Sequence, residues 1–348
     1  MSNRRLVVSV LVVGLALASS SASGQTPSDT EVPRTADGRP DLQGVWDFRT
    51  MTPLQRPRNQ DKAQLTEEEA AELEQRAAER VAQADTPSEI RTEPLPAGQD
   101  VGAYNNYWFD RGARVVDDRR TSLIVSPTNG RLPELAPGAI SQVGSLGEDL
   151  PGERPVRYRT GGISADGPED RGLAERCLLG FNAGPPILPA GYNQNLQLFQ
   201  TPGHVVILTE MVHDVRIVPL DGRPHLPGDV RQWLGDGRGY WDGDTLVVET
   251  RNFSELVASV NASVATALGT GATLNLIERF TRLDEDTLRY EFTVEDPTTL
   301  TQPITGILQM QRGAAPLFEY ACHEGNYGMR NLLAGARLKE SATGSGQP

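Results

Sequence analysis

The chain has 348 residues, of which 23% are charged and 38% hydrophobic, and its formal net charge is −13. That acidity excludes the phosphate backbone of nucleic acids and anionic lipid as natural partners. The length allows one large domain or two small ones.

Residues 1–24 combine Arg4 and Arg5, an apolar run over 6–18, and the small residues Ala22, Ser23 and Gly24. This is the pattern of a secretory signal peptide, with an apolar core shorter than the ~20 residues of a spanning helix. Its cleavage would move the charge from −13 to −15 and leave about 320 residues, enough for a sizeable core. The expected product is periplasmic or secreted, without membrane insertion.

Residues 25–95 read as an extended arm plus a surface helix. The arm is rich in Pro, Gly and polar residues, with an apolar island at Leu42, Val45, Trp46 and Phe48 that would pin it to the body. The helix is expected over residues 65–84, capped by Thr66, with Glu67, Glu68 and Glu69 complementing its N-terminal dipole. Its apolar face is mostly alanine, which suits a surface position.

Residues 96–340 read as a single β domain, and 341–348 as a disordered tail. A short strand is expected at 122–125, and Gly/Pro-rich loops over 134–172. Three strand-like runs follow in "LQLFQTPGHVVILTEMVHDVRIVPL". Hairpins are expected in "GRGYWDGDTLVVETRNF" and "LNLIERFTRLDEDTLRYEFTVEDP". In the latter, Leu288, Tyr290, Phe292 and Val294 alternate with Arg289, Glu291 and Thr293, the period-2 mark of a half-buried strand, while Ile277, Phe280 and Leu283 are apolar on the first arm. "ITGILQMQR" and "LFEYACH" supply two more strands. Consecutive hairpins without intervening helices predict a mainly β fold, an antiparallel meander forming a barrel or sandwich.

The two cysteines of an exported chain predict one disulfide, Cys177–Cys322. Closing so long a loop is worth about 5 kcal/mol of chain entropy. It would also hold the backbone beside His323, in "CHEGN", where an acid, a base and an amide lie together.

All four histidines, His204, His213, His225 and His323, fall in the β half. Counting by twos along a strand sets His213 with Met211 and Val215, toward a core or pocket. His225 leaves a turn containing Asp221 and Arg223, and turns at strand ends supply pockets with polar groups. His213, His225 and His323, with Asp214 or Glu324, are the candidate acid–base residues. Asn326, Arg223, Trp233, Tyr240 and Trp241 are candidate substrate contacts. An imidazole held by a carboxylate serves as general base or metal ligand. Zinc would draw on His213, His225 and His323 with Glu210 or Glu324, but there is no H-E-x-x-H or paired C-x-x-C, so no cofactor is assigned. G-x-S-x-G is missing, and "GDGRG" at residues 235–239 lacks the strand and helix of a dinucleotide loop. Glu249, Glu278, Glu291 and Glu295 alternate with apolar residues and read as a solvated sheet face.

The segments "RTSLIVSPTNGRLPEL", "HDVRIVPLDGRPHLP", "RQWLGDGRGYWDGDTLVVETRNF" and "YACHEGNYGMRNLLAGAR" resemble a family of uncharacterised secreted bacterial proteins, over roughly residues 41–340. The resemblance implies a bacterial, exported protein and no particular activity. "GVW" at residues 44–46 and the meander are similar to lipocalin-like barrels, although a helix and long loops follow the motif here. The expected function is a secreted enzyme performing His/carboxylate acid–base chemistry (lyase, isomerase or hydrolase) on a small uncharged organic molecule. The alternative is a lipocalin-like carrier of an apolar ligand, with Trp233, Tyr240, Trp241, Phe280 and Phe292 lining its cavity.

Overall fold

A computed structural model describes residues 32–84, 92–93, 109, 112–143, 165–184, 186–263, 266–314 and 316–343. The expected signal peptide and residues 344–348 of the expected tail lie outside them.

The strands are β1 (Gly44–Asp47), β2 (Ile124–Ser126), β3 (Ser141–Val143), β4 (Asn195–Gln200), β5 (His204–Thr209), β6 (Val215–Pro219), β7 (Asp236–Asp242), β8 (Thr245–Arg251), β9 (Val260–Ser263), β10 (Thr266–Leu268), β11 (Asn275–Arg282), β12 (Thr287–Glu295) and β13 (Ile304–Arg312). Two α-helices, α1 (Glu67–Ala84) and α2 (Tyr327–Thr343), stand beside them. The main sheet follows the order β6-β5-β4-β1-β13-β12-β11-β8-β7, with β2 added to β13, and it curls into a nearly closed antiparallel barrel. A small second sheet has the order β3-β10-β9.

The meander from β11 to β13 follows the alternation of the sequence. Leu288, Tyr290, Phe292 and Val294 point inward, and each is no more than 1% exposed. Burying each such side chain is worth about 1.5–3 kcal/mol. On β11 the inward set is Leu276, Glu278, Phe280 and Arg282, so Ile277 and Leu283 do not share the face of Phe280. Gly306 on β13 sits opposite Phe292, and the ring covers the glycine so closely that a Cβ there would lie 2.3 Å from Cζ.

The expected arm turns out to contain a strand of the barrel. β1 pairs with β4 on one side and β13 on the other. Trp46 is fully buried, donates from Nε1 to Leu42 O at 2.9 Å, and has the guanidiniums of Arg282 and Arg312 over its ring at 5.5 and 5.6 Å. Both pairings of this four-residue strand are long-range, so local sequence carried no trace of them.

Helix α1 starts on the expected cap. Thr66 Oγ1 accepts the Glu69 N–H at 3.2 Å and Glu69 Oε2 accepts the Thr66 N–H at 2.9 Å, a reciprocal capping box. Three other expectations need correction. Residues 317–323 form no strand, Ser341 to Thr343 belong to α2 rather than to a tail, and β3 lies within the expected loop region. Gly328 and Gly335 masked α2, because glycine costs about 1 kcal/mol in a helix.

Every pairing along the main path is antiparallel. With nine strands in that order, the first and last, β6 and β7, must run in the same direction. The antiparallel ladder therefore cannot close on itself. Side chains bridge the seam instead: a Cβ on Gly239 would lie 2.6 Å from Leu220 Cδ2 and 2.9 Å from Val218 Cγ1, and one on Gly237 would lie 3.5 Å from Val218 Cγ2. These are glycines of "GDGRG", and their missing side chains make room for the opposite strand.

Candidate functional site at the barrel seam

Beside this seam opens a cleft of about 840 Å³. One wall is the turn and strand from Val212 to Val218, and the other is the segment from Arg231 to Gly237. Cys177 and Leu178 border it, with Thr250 and Ser254 from the β8 side.

Four charged residues line the cleft: Asp214, Arg216, Arg231 and Asp236. Arg216 points into the barrel and is only 7% exposed. Both its terminal nitrogens bond Glu278, NH2 to Oε1 at 3.0 Å and NH1 to Oε2, and the guanidinium's other donors have no acceptor among the described residues. Glu278, 0% exposed, also accepts the Tyr290 hydroxyl at 2.7 Å, and that hydroxyl accepts the Ile187 N–H at 3.0 Å. Burial works against the charge on Arg216, but Glu278 chiefly, together with Tyr290 and Asp214, outweighs it and holds the guanidinium's pKa above its ordinary value. Burial and the adjacent Glu278 charge push the Tyr290 phenol well above 10, so it stays a proton donor. Glu278 is thus no part of a solvated face. The sequence signal was its parity with Leu276 and Phe280.

Asp236, 5% exposed, opens β7. Its Oδ2 accepts the Leu226 N–H at 2.8 Å and lies 3.1 Å from His225 Nδ1, while its Oδ1 accepts from Arg238 at 2.5 Å. A carboxylate that orients an imidazole in this way is a standard element of acid–base sites. Asp214 Oδ2 accepts the Gly180 N–H at 2.8 Å, which ties the β6 wall to the disulfide segment. Thr250 is 1% exposed, and its hydroxyl has no hydrogen-bond partner among the described residues. Trp233 packs on Leu173, Leu179 and Val257 and contributes an aromatic wall.

Of the four histidines, only His213 lines the cleft. It does not sit on a strand: residues 211–213 form a short 3-10 turn, with Val212 at φ +58° and His213 at φ +44°. The ring is exposed and has no hydrogen-bond partner among the described residues. His225 reaches the cleft through Asp236. His204 opens β5 and is half-buried away from the cleft lining.

The disulfide Cys177–Cys322 is present, with Cα atoms 5.8 Å apart across 145 residues of sequence. It does not carry His323 into the cleft. His323 and Glu324 are exposed, and Asn326 is engaged by the fold. Its Oδ1 accepts the Met329 N–H at 3.2 Å, capping α2, and its Nδ2 donates to Glu175 O at 2.7 Å. Arg223 is exposed and pairs with Asp221, whose carboxyl it lowers to about 2. Tyr240 is exposed, Trp241 packs against the core under Arg39, and Phe280 and Phe292 are core residues. Among the described residues, no group of three or more His, Cys, Asp or Glu is arranged to hold a metal ion. Nor is any helix among them long and apolar enough to cross a membrane.

Comparison with protein-family models, with curated proteins and with solved structures gives no match.

Proposed function

We propose that the protein is an exported enzyme that performs acid–base chemistry on a small uncharged organic molecule held in the seam cleft. The reading rests on one observation. Where the barrel cannot close, the cleft gathers across two facing segments an imidazole without a hydrogen-bond partner among the described residues, two carboxylates and a buried guanidinium. In this reading His213 moves the proton at the mouth. Arg216, fixed by Glu278, and the Thr250 hydroxyl orient a polar group of the substrate. Asp236 stands on the opposite wall, with His225 behind it, as the second acid–base group. Asp214 and Asp236 balance Arg216 and Arg231 in formal charge, which suits a neutral substrate. The disulfide supports an oxidising compartment such as the periplasm.

The carrier reading ranks second, because the barrel interior is filled with side chains, Trp46, Phe280, Tyr290 and Phe292 among them. Turnover of a broad panel of neutral plant- and terpenoid-derived compounds by the purified protein is the test. His213→Ala and Asp236→Asn are each expected to lower the rate about 10²–10⁴-fold. His323→Ala, altered at an exposed position outside the cleft, is expected to match the wild type. Equal rates for all four proteins would exclude the cleft as the active site.

A further inference from the structure

A second pocket, of about 290 Å³, lies apart from the seam cleft and shares no lining residue with it. The chain following β1 contributes Met51 and Leu54, and Leu123, Phe181 and Leu188 complete an apolar wall. No charged residue is among its described lining residues. Two threonines border it, and both hydroxyls are occupied: Thr50 donates to Arg114 O at 3.1 Å, and Thr52 accepts the Val116 N–H at 3.1 Å. Asn261 on β9 is the exception. It lines the pocket and is 9% exposed, and its Nδ2 is buried without a hydrogen-bond partner among the described residues.

A buried amide nitrogen without an acceptor is costly, and an acceptor supplied from the pocket removes that cost. A charged occupant would find no counter-ion among the described lining residues and would have to shed its hydration. We propose that this pocket is a separate binding site for a compact, neutral, apolar molecule with one hydrogen-bond acceptor, such as a cyclic ketone or ester, received by Asn261 Nδ2. A volume of about 290 Å³ lies at the small end of the range for small-molecule sites, which suits a compact ligand. The ligand is bound by burial of its apolar body and oriented by one amide donor, the usual division of labour in small-molecule pockets.

The test uses the bicyclic ketone camphor and its parent hydrocarbon bornane, titrated into the full-length protein by calorimetry. Camphor is expected to bind the wild type. Asn261→Leu is expected to lower the camphor-to-bornane affinity ratio about tenfold, since it leaves the buried carbonyl without a donor. Leu188→Trp, which fills the pocket, is expected to abolish binding of both probes. In the wild type the side-chain amide resonance of Asn261 is expected to move with camphor and to stay in place with bornane, a reading that survives if Asn261→Leu does not fold. No binding of camphor, an unchanged affinity ratio, a silent Asn261 resonance, or binding retained by Leu188→Trp would each overturn the proposal. None of these outcomes bears on turnover at the seam cleft.

Discussion

Arg216 and Glu278 form an ion pair buried inside the barrel, and each needs the other. Removing either charge leaves the other buried and unpaired. Glu278→Ala is expected to cost about 3–5 kcal/mol in urea unfolding, whereas Arg216→Met combined with Glu278→Leu should cost less, about 1–3 kcal/mol, for the Tyr290 hydroxyl left without its acceptor. If the double variant is stable but inactive, the pair is kept for the cleft and not for the fold. Asp296 presents the opposite case, a buried carboxylate saturated with donors. Ser259, Thr273 at 2.8 Å, Thr298 at 2.8 Å and Thr299 at 2.6 Å all give it their hydroxyls. Burial alone would raise its pKa, but these bonds together outweigh burial and hold it below 3.8. A depressed carboxyl stabilises the fold above its unfolded pKa and loses that contribution as pH falls through the folded value. Thermal stability should therefore drop below about pH 4, and Asp296→Asn should flatten that part of the profile.

Among the elements, the cross-strand pair of Gly306 and Phe292 explains how β12 and β13 stay in register. The ring lies over the glycine and fills the inward site that a side chain would otherwise take. Gly306→Ala is expected to destabilise by about 1–3 kcal/mol, as overpacked cores do, read as a lower urea midpoint with an unchanged slope. The same logic applied at β7 has a functional consequence. Gly237 and Gly239 admit Val218 from β6 and Leu220 just after it, so the seam is shut by apolar contact along one stretch and stays open beside Arg216 and Asp236. The β5–β6 turn completes the arrangement, since its left-handed residues Val212 and His213 turn the imidazole into the cleft.

For the whole molecule, the disulfide and the odd strand number act together. Cys322 anchors the start of α2 to the segment 175–180, and Gly180 in that segment holds Asp214 on the cleft wall. Replacing both cysteines by serine should lower stability by about 2–5 kcal/mol, measured by thermal unfolding with and without reductant. It should also speed hydrogen exchange at the Gly180 amide more than at β12, because the effect reaches the cleft wall before the barrel.

Period-2 alternation, turn residues and a capping box are local properties. From them the chain alone determined the class of fold, strands β4 to β8 and β11 to β13, and the start of α1. The pairing of Cys177 with Cys322 also followed from composition. What the tertiary structure decided is non-local. β1 is a strand only because β4 and β13 flank it, and Glu278 is an interior residue only because β11 faces inward at that position. The three candidate histidines differ in the same way: His213 reaches the cleft, His225 meets it through Asp236, and His323 stays outside. Their separation in space depends on strand order and on where a nine-stranded barrel fails to close. Neither quantity is encoded within the few residues that surround any one of them.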